Sequence, residues 1–259
     1  MENTKIQWTD ATVNFWTGCR KVSEGCKFCY MYRDKERYGQ NPTKVLRTQA
    51  NTFNQALKWK EPKRIFTCSW SDFFIADADP WRQEAWDIIR KTPQHSWQIL
   101  TKRPERIMDC LPPDWGKGWE NVWLGTSIES QKYMNRAHIL AGVPAKIRFI
   151  SAEPLLEEID LTKHYALMEY FHWCIIGGES GNDKGKYLYR KCEVEWIEKI
   201  IADLKGTNVE VFVKQMGTYI PKEIGLKDRH GGNWDEWPVN LRIREFPDQK
   251  ISKFTTVAV

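Results

Sequence analysis

The sequence predicts an α/β chain: a full or partial TIM-like (β/α) barrel with a C-terminal cap segment. Two observations predict it. Apolar runs of strand length recur roughly 25–36 residues apart, about the span of a βαβ unit, and helical patterns lie between them. The runs are near-continuously apolar, as buried parallel strands require. An open doubly wound sheet is the second architecture that fits this rhythm.

The elements follow in order. A first strand is expected near 11–17, with a cysteine-bearing loop directly after it. Further strands are expected at 64–68 (RIFTC), 96–101 (SWQILT), 121–126 (NVWLGT), 146–151 (KIRFIS), 172–177 (HWCIIG) and 208–213 (NVEVFV). A helix over 81–91 follows Asp79-Pro80, a cap and first-turn signal. A second, over 130–141, begins at Ser130. A third, over 193–205, carries Val194, Ile197, Ile201 and Leu204 at helical spacing, with Gly206 as its stop. The rhythm breaks from about 216, where Gly225, Gly231, Gly232 and NWDEWP occur. Residues 1–215 are therefore assigned to the barrel and 216–259 to a cap or extension of the same domain.

Composition narrows the class. The 259 residues carry a net charge of +5, which permits a nucleic-acid partner without requiring one. No apolar run reaches membrane-spanning length, and MENTKIQWTD holds no apolar signal region. The expectation is a soluble, cytoplasmic protein with no membrane partner. Of seven cysteines, Cys68, Cys110, Cys174 and Cys192 are scattered, which suits reduced thiols beside one metal site.

That site is Cys19-x6-Cys26-x2-Cys29, within TGCRKVSEGCKFCYM. Thiolates are soft ligands, and three together suit an iron–sulfur cluster or zinc. Three ligands leave one iron of a [4Fe–4S] cluster open. Such an iron chelates the amino and carboxylate groups of S-adenosylmethionine, whose reductive cleavage gives a 5′-deoxyadenosyl radical. Phe28 and Tyr30 flank Cys29 and are candidates to pack on the adenine. The competing readings are a zinc site completed by a distant Cys or His, Cys68 being the best candidate, and an electron-transfer cluster with a remote fourth cysteine. Zinc sites usually show two Cys-x2-Cys pairs, and only one is present.

Ligands of parallel α/β folds bind at the carboxyl ends of strands. Those positions carry Ser69, Ser71 and Asp72; Lys102 and Arg103; Thr126, Ser127 and Glu129; Ser151 and Glu153; Gly177, Gly178 and Glu179; and Lys214 and Gln215. Polar strand-to-helix loops are common for capping alone. Charges beside so many buried strands point instead to one functional end. Lys102 and Arg103 are candidates to bind a carboxylate or phosphate.

At the level of whole motifs the chain resembles a phage-associated family named for its three-cysteine motif, a divergent branch of the radical-SAM superfamily. The resemblance rests on IQWTDATVNFWTGCRKVSEGCKFCY, SWSDFF, QILTKRPERI, NVWLGTSIES, RFISAEPLL, IIGGESG, VFVKQMG and WDEWP, over roughly residues 6–238. It implies a barrel of the radical-SAM type, a [4Fe–4S] cluster on Cys19, Cys26 and Cys29, S-adenosylmethionine as cofactor, and an external electron donor. The superfamily's usual spacing is Cys-x3-Cys-x2-Cys with an aromatic residue before the third cysteine. Here the first gap is six, while the second gap and Phe28 agree. The superfamily's Gly-Gly-Glu segment lies on its second strand. That position here is SWSDFF, so Asp72 is the candidate for the cofactor's amino group, with Ser69 and Ser71 beside it. Gly177, Gly178 and Glu179 lie on a later strand. Glu179 is a candidate for ribose or substrate contact, Thr126, Ser127 and Ser151 for ribose or carboxylate contact, and Glu153, Gly177 and Gly178 for cofactor binding.

The resemblance also implies a separate partner protein and modification or repair of DNA, RNA or nucleotides. Arg20, Lys21, Lys27, Arg33, Lys35 and Arg37, interleaved with Tyr30, Tyr32 and Tyr38, are the residues that would contact phosphates and stack bases. Two alternatives stand beside the radical enzyme. One is a zinc-stabilised nucleic-acid-binding protein. The other is a cluster and S-adenosylmethionine enzyme transferring an aminocarboxypropyl group.

Overall fold

Short apolar runs become parallel strands, and the segments between them become helices. The computed structural model describes residues 2–247. The chain divides into two units, Met1–Thr126 with Gly142–Lys146, and Ser127–Ala141 with Ile147–Val259.

In chain order the first unit contains β1 (Ala11–Thr12), β2 (Trp16–Thr17), β3 (Leu46–Arg47), β4 (Arg64–Thr67), β5 (Ser96–Thr101) and nearly all of β6 (Val122–Ser127). Four of these are parallel neighbours in the order β1-β4-β5-β6. Its helices are α1 (Tyr30–Arg37), α2 (Ala50–Phe53), α3 (Asp79–Lys91) and α4 (Ile107–Cys110).

The single strand expected at 11–17 is two short ones. Thr48 takes the Phe15 carbonyl at 2.9 Å, and β2 turns aside to pair antiparallel with β3. Residues 14–15 thus leave the parallel ladder after Val13, whose amide still donates to the Phe66 carbonyl at 3.1 Å. Asp79 is also not the cap of α3 but its first residue, following Ala78. Its carboxylate goes to the guanidinium groups of Arg82 and Arg106.

Alternation along the strands sorts the first unit's core into two faces. Phe15 lies stacked 5.7 Å from Trp97 and 4.8 Å from Phe53 on one face. On the other, Trp8 meets Phe66 at 4.5 Å, and Gln98 Nε2 donates to the Trp8 carbonyl at 3.3 Å.

The second unit contains β7 (Ile147–Ala152), β8 (Trp173–Gly177) and β9 (Glu210–Gln215), parallel in that order. Its helices are α5 (Asn135–Ala141), α6 (Tyr165–Met168), α7 (Val194–Leu204) and α8 (Tyr219–Ile224). The helix expected over 130–141 starts as a 3-10 turn at Gln131–Tyr133 before α5. Glu157 Oε1 accepts from the Gln131 amide at 2.9 Å and occupies that first turn.

The two faces of this sheet are distinct. Ile150, Ala152 and Cys174 line a small apolar gap with Ile200 of α7, so they face the helices. Phe149, Trp173 and Phe212 meet ring to ring on the opposite face. After α8, residues 243–245 run along β9. The amides of Val213 and Glu245 donate to the carbonyls of Ile243 and Val211, both at 2.9 Å. Edge strands need such cover. Among the described residues no helix is long and apolar enough to cross a membrane.

Phe15 is fully buried within its aromatic cluster. Phe15→Ala should cost about 3–5 kcal/mol, seen as a lower urea midpoint with unchanged slope.

Candidate functional site

The cysteine loop is irregular backbone held to the carboxyl ends of β4 and β5. It begins at Gly18, whose φ of +93° suits glycine, and a Cβ there would lie 2.2 Å from the Lys44 carbonyl oxygen. Ser71 Oγ donates to the Gly18 carbonyl at 2.5 Å, and Tyr30 Oη to the Ser69 carbonyl at 2.5 Å. Tyr32, buried, donates from its hydroxyl to the Cys19 carbonyl at 2.5 Å. Asn14 fixes the β4 end of this contact. Its Oδ1 accepts from the Trp70 amide at 2.8 Å, and its Nδ2 donates to Ser69 Oγ at 3.1 Å.

Asp72 is the centre of the arrangement. Its Oδ1 accepts from the Phe74 amide at 2.9 Å and from Thr101 Oγ1 at 2.7 Å. Its Oδ2 accepts from the Lys102 amide and from Arg103 Nη1, both at 3.0 Å. Arg103, thus aimed, donates from Nη2 to the Arg20 carbonyl at 2.7 Å, and its Nη1 lies 3.9 Å from Cys19 Sγ. Arg20 in turn forms a fork with Asp77. The structure therefore brings Cys19, Ser71, Asp72, Thr101 and Arg103 into one connected network. The Asp72 carboxylate, expected to meet an ammonium group, is filled by donors of its own chain.

The environment favours the thiol form of Cys19 and Cys29. Burial pushes Cys19 up to about 12, with Asp72 adding to the rise and Arg103 opposing it. Burial also raises Cys29, against amide donors from Met31 and Tyr32 and the charge of Lys102. Metal binding must release these protons. The donor set fits a cluster: three half-buried thiols on one loop, with cationic side chains near the first and third. Cys68 does not join them. It is buried, with its Sγ 3.3 Å from Thr67 Oγ1. Among the described residues no three His, Cys, Asp or Glu side chains gather about one point as ligands of a single ion would. A cluster taking one thiolate per iron needs no such convergence.

The basic residues near the loop are largely engaged. Arg33 pairs with Asp34, Lys21 donates to the Lys27 carbonyl, and Lys35 is buried. Lys27 lies over the Phe28 ring at 5.1 Å. Thr126 Oγ1, fully buried, donates to the Thr101 carbonyl at 3.1 Å.

The second unit carries the remaining strand-end residues. Glu153 Oε1 accepts from Lys214 Nζ at 2.5 Å and from Gln215 Nε2 at 3.3 Å. Glu179 is closed by Arg190, which donates to it from its amide at 3.0 Å, from Nε at 2.8 Å and from Nη2. Gly178 is required for packing, since a Cβ there would lie 2.3 Å from the Met216 carbonyl oxygen. Ser127 and Ser151 are buried, and their carbonyls accept from Arg136 Nη1 and the Ile128 amide, both at 2.9 Å. Sequence reasoning missed Asn14 and Arg190: Asn14 stands within the first quoted motif but its side chain works on residues 69 and 70, and Arg190 stands in no quoted motif.

A family model described as "Protein of unknown function (DUF5131)" matches residues 3–245. The chain belongs to this family. No curated protein matches it. Among solved structures it is similar to spore photoproduct lyase. A cysteine-to-alanine variant of that enzyme matches with a TM-score of 0.54 and 16% identity, over 76% of this chain and 74% of that one. A double variant with bound AdoMet and dinucleoside spore photoproduct matches with a TM-score of 0.50 and 14% identity, over 77% and 75%. Spore photoproduct lyase complexed with dinucleoside spore photoproduct gives 0.51 and 15%, over 76% and 74%. At these identities the likeness shows the fold alone, a mixed α/β partial barrel.

Two outcomes are expected of this site. Asp72→Ala leaves Arg103 without its carboxylate, and breaking a buried pair costs about 3–5 kcal/mol. Its thermal midpoint should fall, and the loop should retain less metal. In the metal-free chain, iodoacetamide should modify Cys19 roughly a hundredfold more slowly at pH 8 than an unburied thiol. The rate should climb with pH towards about 12, as mass-spectrometric timing of the labelled peptide would show.

Proposed function

We propose that this DUF5131 protein is an iron–sulfur enzyme of the radical-SAM type that acts on a nucleotide or nucleic acid. The observation that carries the reading is the tethering of the three-cysteine loop to the carboxyl ends of β4 and β5 through Ser71, Tyr30 and Arg103. Cys19, Cys26 and Cys29 would hold a [4Fe–4S] cluster, leaving one iron for S-adenosylmethionine. When bound, the pair supplies a one-electron cleavage of the sulfonium and a carbon radical.

The chain's own residues have separable tasks. Ser71 and Tyr30 fix the loop's height above the strands. Arg103 places positive charge beside the Cys19 sulfur, which favours its thiolate form. Asp72 orients Arg103 and the turn after β5. The thiols' burial limits water at the metal. The nucleotide substrate is favoured by the neighbours solved with a dinucleoside lesion. The zinc reading has less support, because no single-ion ligand group gathers among the described residues.

The test is anaerobic reconstitution. About four irons per chain, an EPR signal on reduction that shifts with S-adenosylmethionine, and release of 5′-deoxyadenosine are expected. Cys26→Ala should abolish all three. A colourless chain holding one zinc would sink the reading. Release of an aminocarboxypropyl product in place of 5′-deoxyadenosine would assign the cluster to the other bond cleavage.

A further inference from the structure

Among the described residues of the second unit, the Glu153–Lys214 ion pair lies at strand ends and keeps unused hydrogen-bond capacity. Glu153 Oε1 takes both Lys214 and Gln215, while among the described residues Oε2 has no hydrogen-bond partner. Lys214 Nζ carries three N–H donors and spends one on Glu153. Both side chains are less than a fifth exposed. By alternation on β7, Glu153 follows the face of Phe149 and Ser151; on β9 the register shifts at Gly177, and Lys214 and Gln215 both turn to the Glu153 carboxylate. Gln215 Nε2 also donates to the Gly178 carbonyl at 3.1 Å and so anchors the Glu153 carboxylate to the β8 end. Gly177 stands beside it. A Cβ there would come within 3.3 Å of the Glu153 carboxyl group and 3.5 Å of Gln215 Cγ, so the missing side chain makes room for those two groups.

We infer that Glu153 and Lys214 together bind the hydrogen-bonding edge of a nucleobase in the substrate, Glu153 accepting from its N–H and Lys214 donating to its adjacent acceptor. The inference rests on the proposed nucleotide reading and names the part of the nucleotide recognised. Three physical points carry it. First, the pair presents one acceptor and one donor side by side, which matches a group offering one of each. Second, a phosphate is disfavoured, because the Glu153 carboxylate lies in contact with the ammonium and repels an anion. Third, the cofactor's amino and carboxylate groups belong, in the proposed reading, to the open iron.

Calorimetric titration of the reconstituted full chain tests this, with the four 2′-deoxynucleosides and with deoxyribose 5-phosphate as probes. At least one nucleoside should bind, and deoxyribose 5-phosphate should not compete with it. Glu153→Gln and Lys214→Met should each weaken nucleoside binding roughly tenfold or more, as loss of a hydrogen bond to a charged group does. The double variant Glu153→Lys with Lys214→Glu keeps an ion pair but reverses its direction. It guards against simple misfolding, and it should retain the thermal midpoint while losing nucleoside binding. Unchanged nucleoside affinity in all three variants would overturn the inference. So would competition by deoxyribose 5-phosphate, no nucleoside binding by the parent protein, or loss of S-adenosylmethionine affinity with nucleoside binding intact. Iron content and 5′-deoxyadenosine release, measured on the same preparations, report separately on the enzyme reading.

Discussion

The Asp72 carboxylate is the constraint on which the first unit's functional end depends. A buried charge is tolerated only when it is paired and hydrogen-bonded. Asp72 meets that condition with four donors drawn from its own turn and from the residues that end β5. The same four bonds set the path of the backbone at 101–103 and the direction of the Arg103 side chain. Arg103 then reaches the cysteine loop twice, at the Arg20 carbonyl and at the Cys19 sulfur. One carboxylate thus couples two strand ends to a loop more than fifty residues earlier in the chain.

The loop itself has little regular structure with which to hold three thiols. It is fastened by side chains instead. Ser71 and Tyr30 bind across to the turn after β4 in opposite directions, one from the strand end to the loop and one from the loop to the strand end. Tyr32 ties the first turn of α1 back to Cys19. The longer gap between Cys19 and Cys26 is compatible with this design. It leaves the first cysteine with Arg103 and the second and third beside the start of α1, where Cys29 is the capping residue.

The parallel strands were legible in the sequence because each is a continuous apolar run with polar residues at its end. The strand 96–101 is found at its expected bounds; the first, expected near 11–17, ends at Thr12, and the rest shift by at most two residues at either end. The cysteine triplet was legible for the same local reason. The hairpin of β2 and β3 was not, since two-residue strands thirty positions apart leave no periodicity to read. The role of Asp72 was half legible. An acid after β4 invites a ligand, but only the folded chain brings Thr101 and Arg103 to its oxygens. Asn14 and Arg190 were invisible because their work lies wholly in long-range or loop contacts.

The second unit shows why letters alone mislead at strand ends. Gly177-Gly178-Glu179 has the composition of a ligand-binding segment, yet Gly178 is there to let the Met216 backbone pass, and Glu179 is closed on both oxygens by Arg190. A carboxylate holding a guanidinium and an amide must surrender charge-assisted bonds before it can meet anything else. Glu153 must surrender nothing, because one of its oxygens is still open among the described residues. By counting valences, the acid of this unit with capacity left to meet a ligand is Glu153, one residue beyond the end of β7. Motif letters mark residue types, and the remaining hydrogen-bond capacity decides which of them can act.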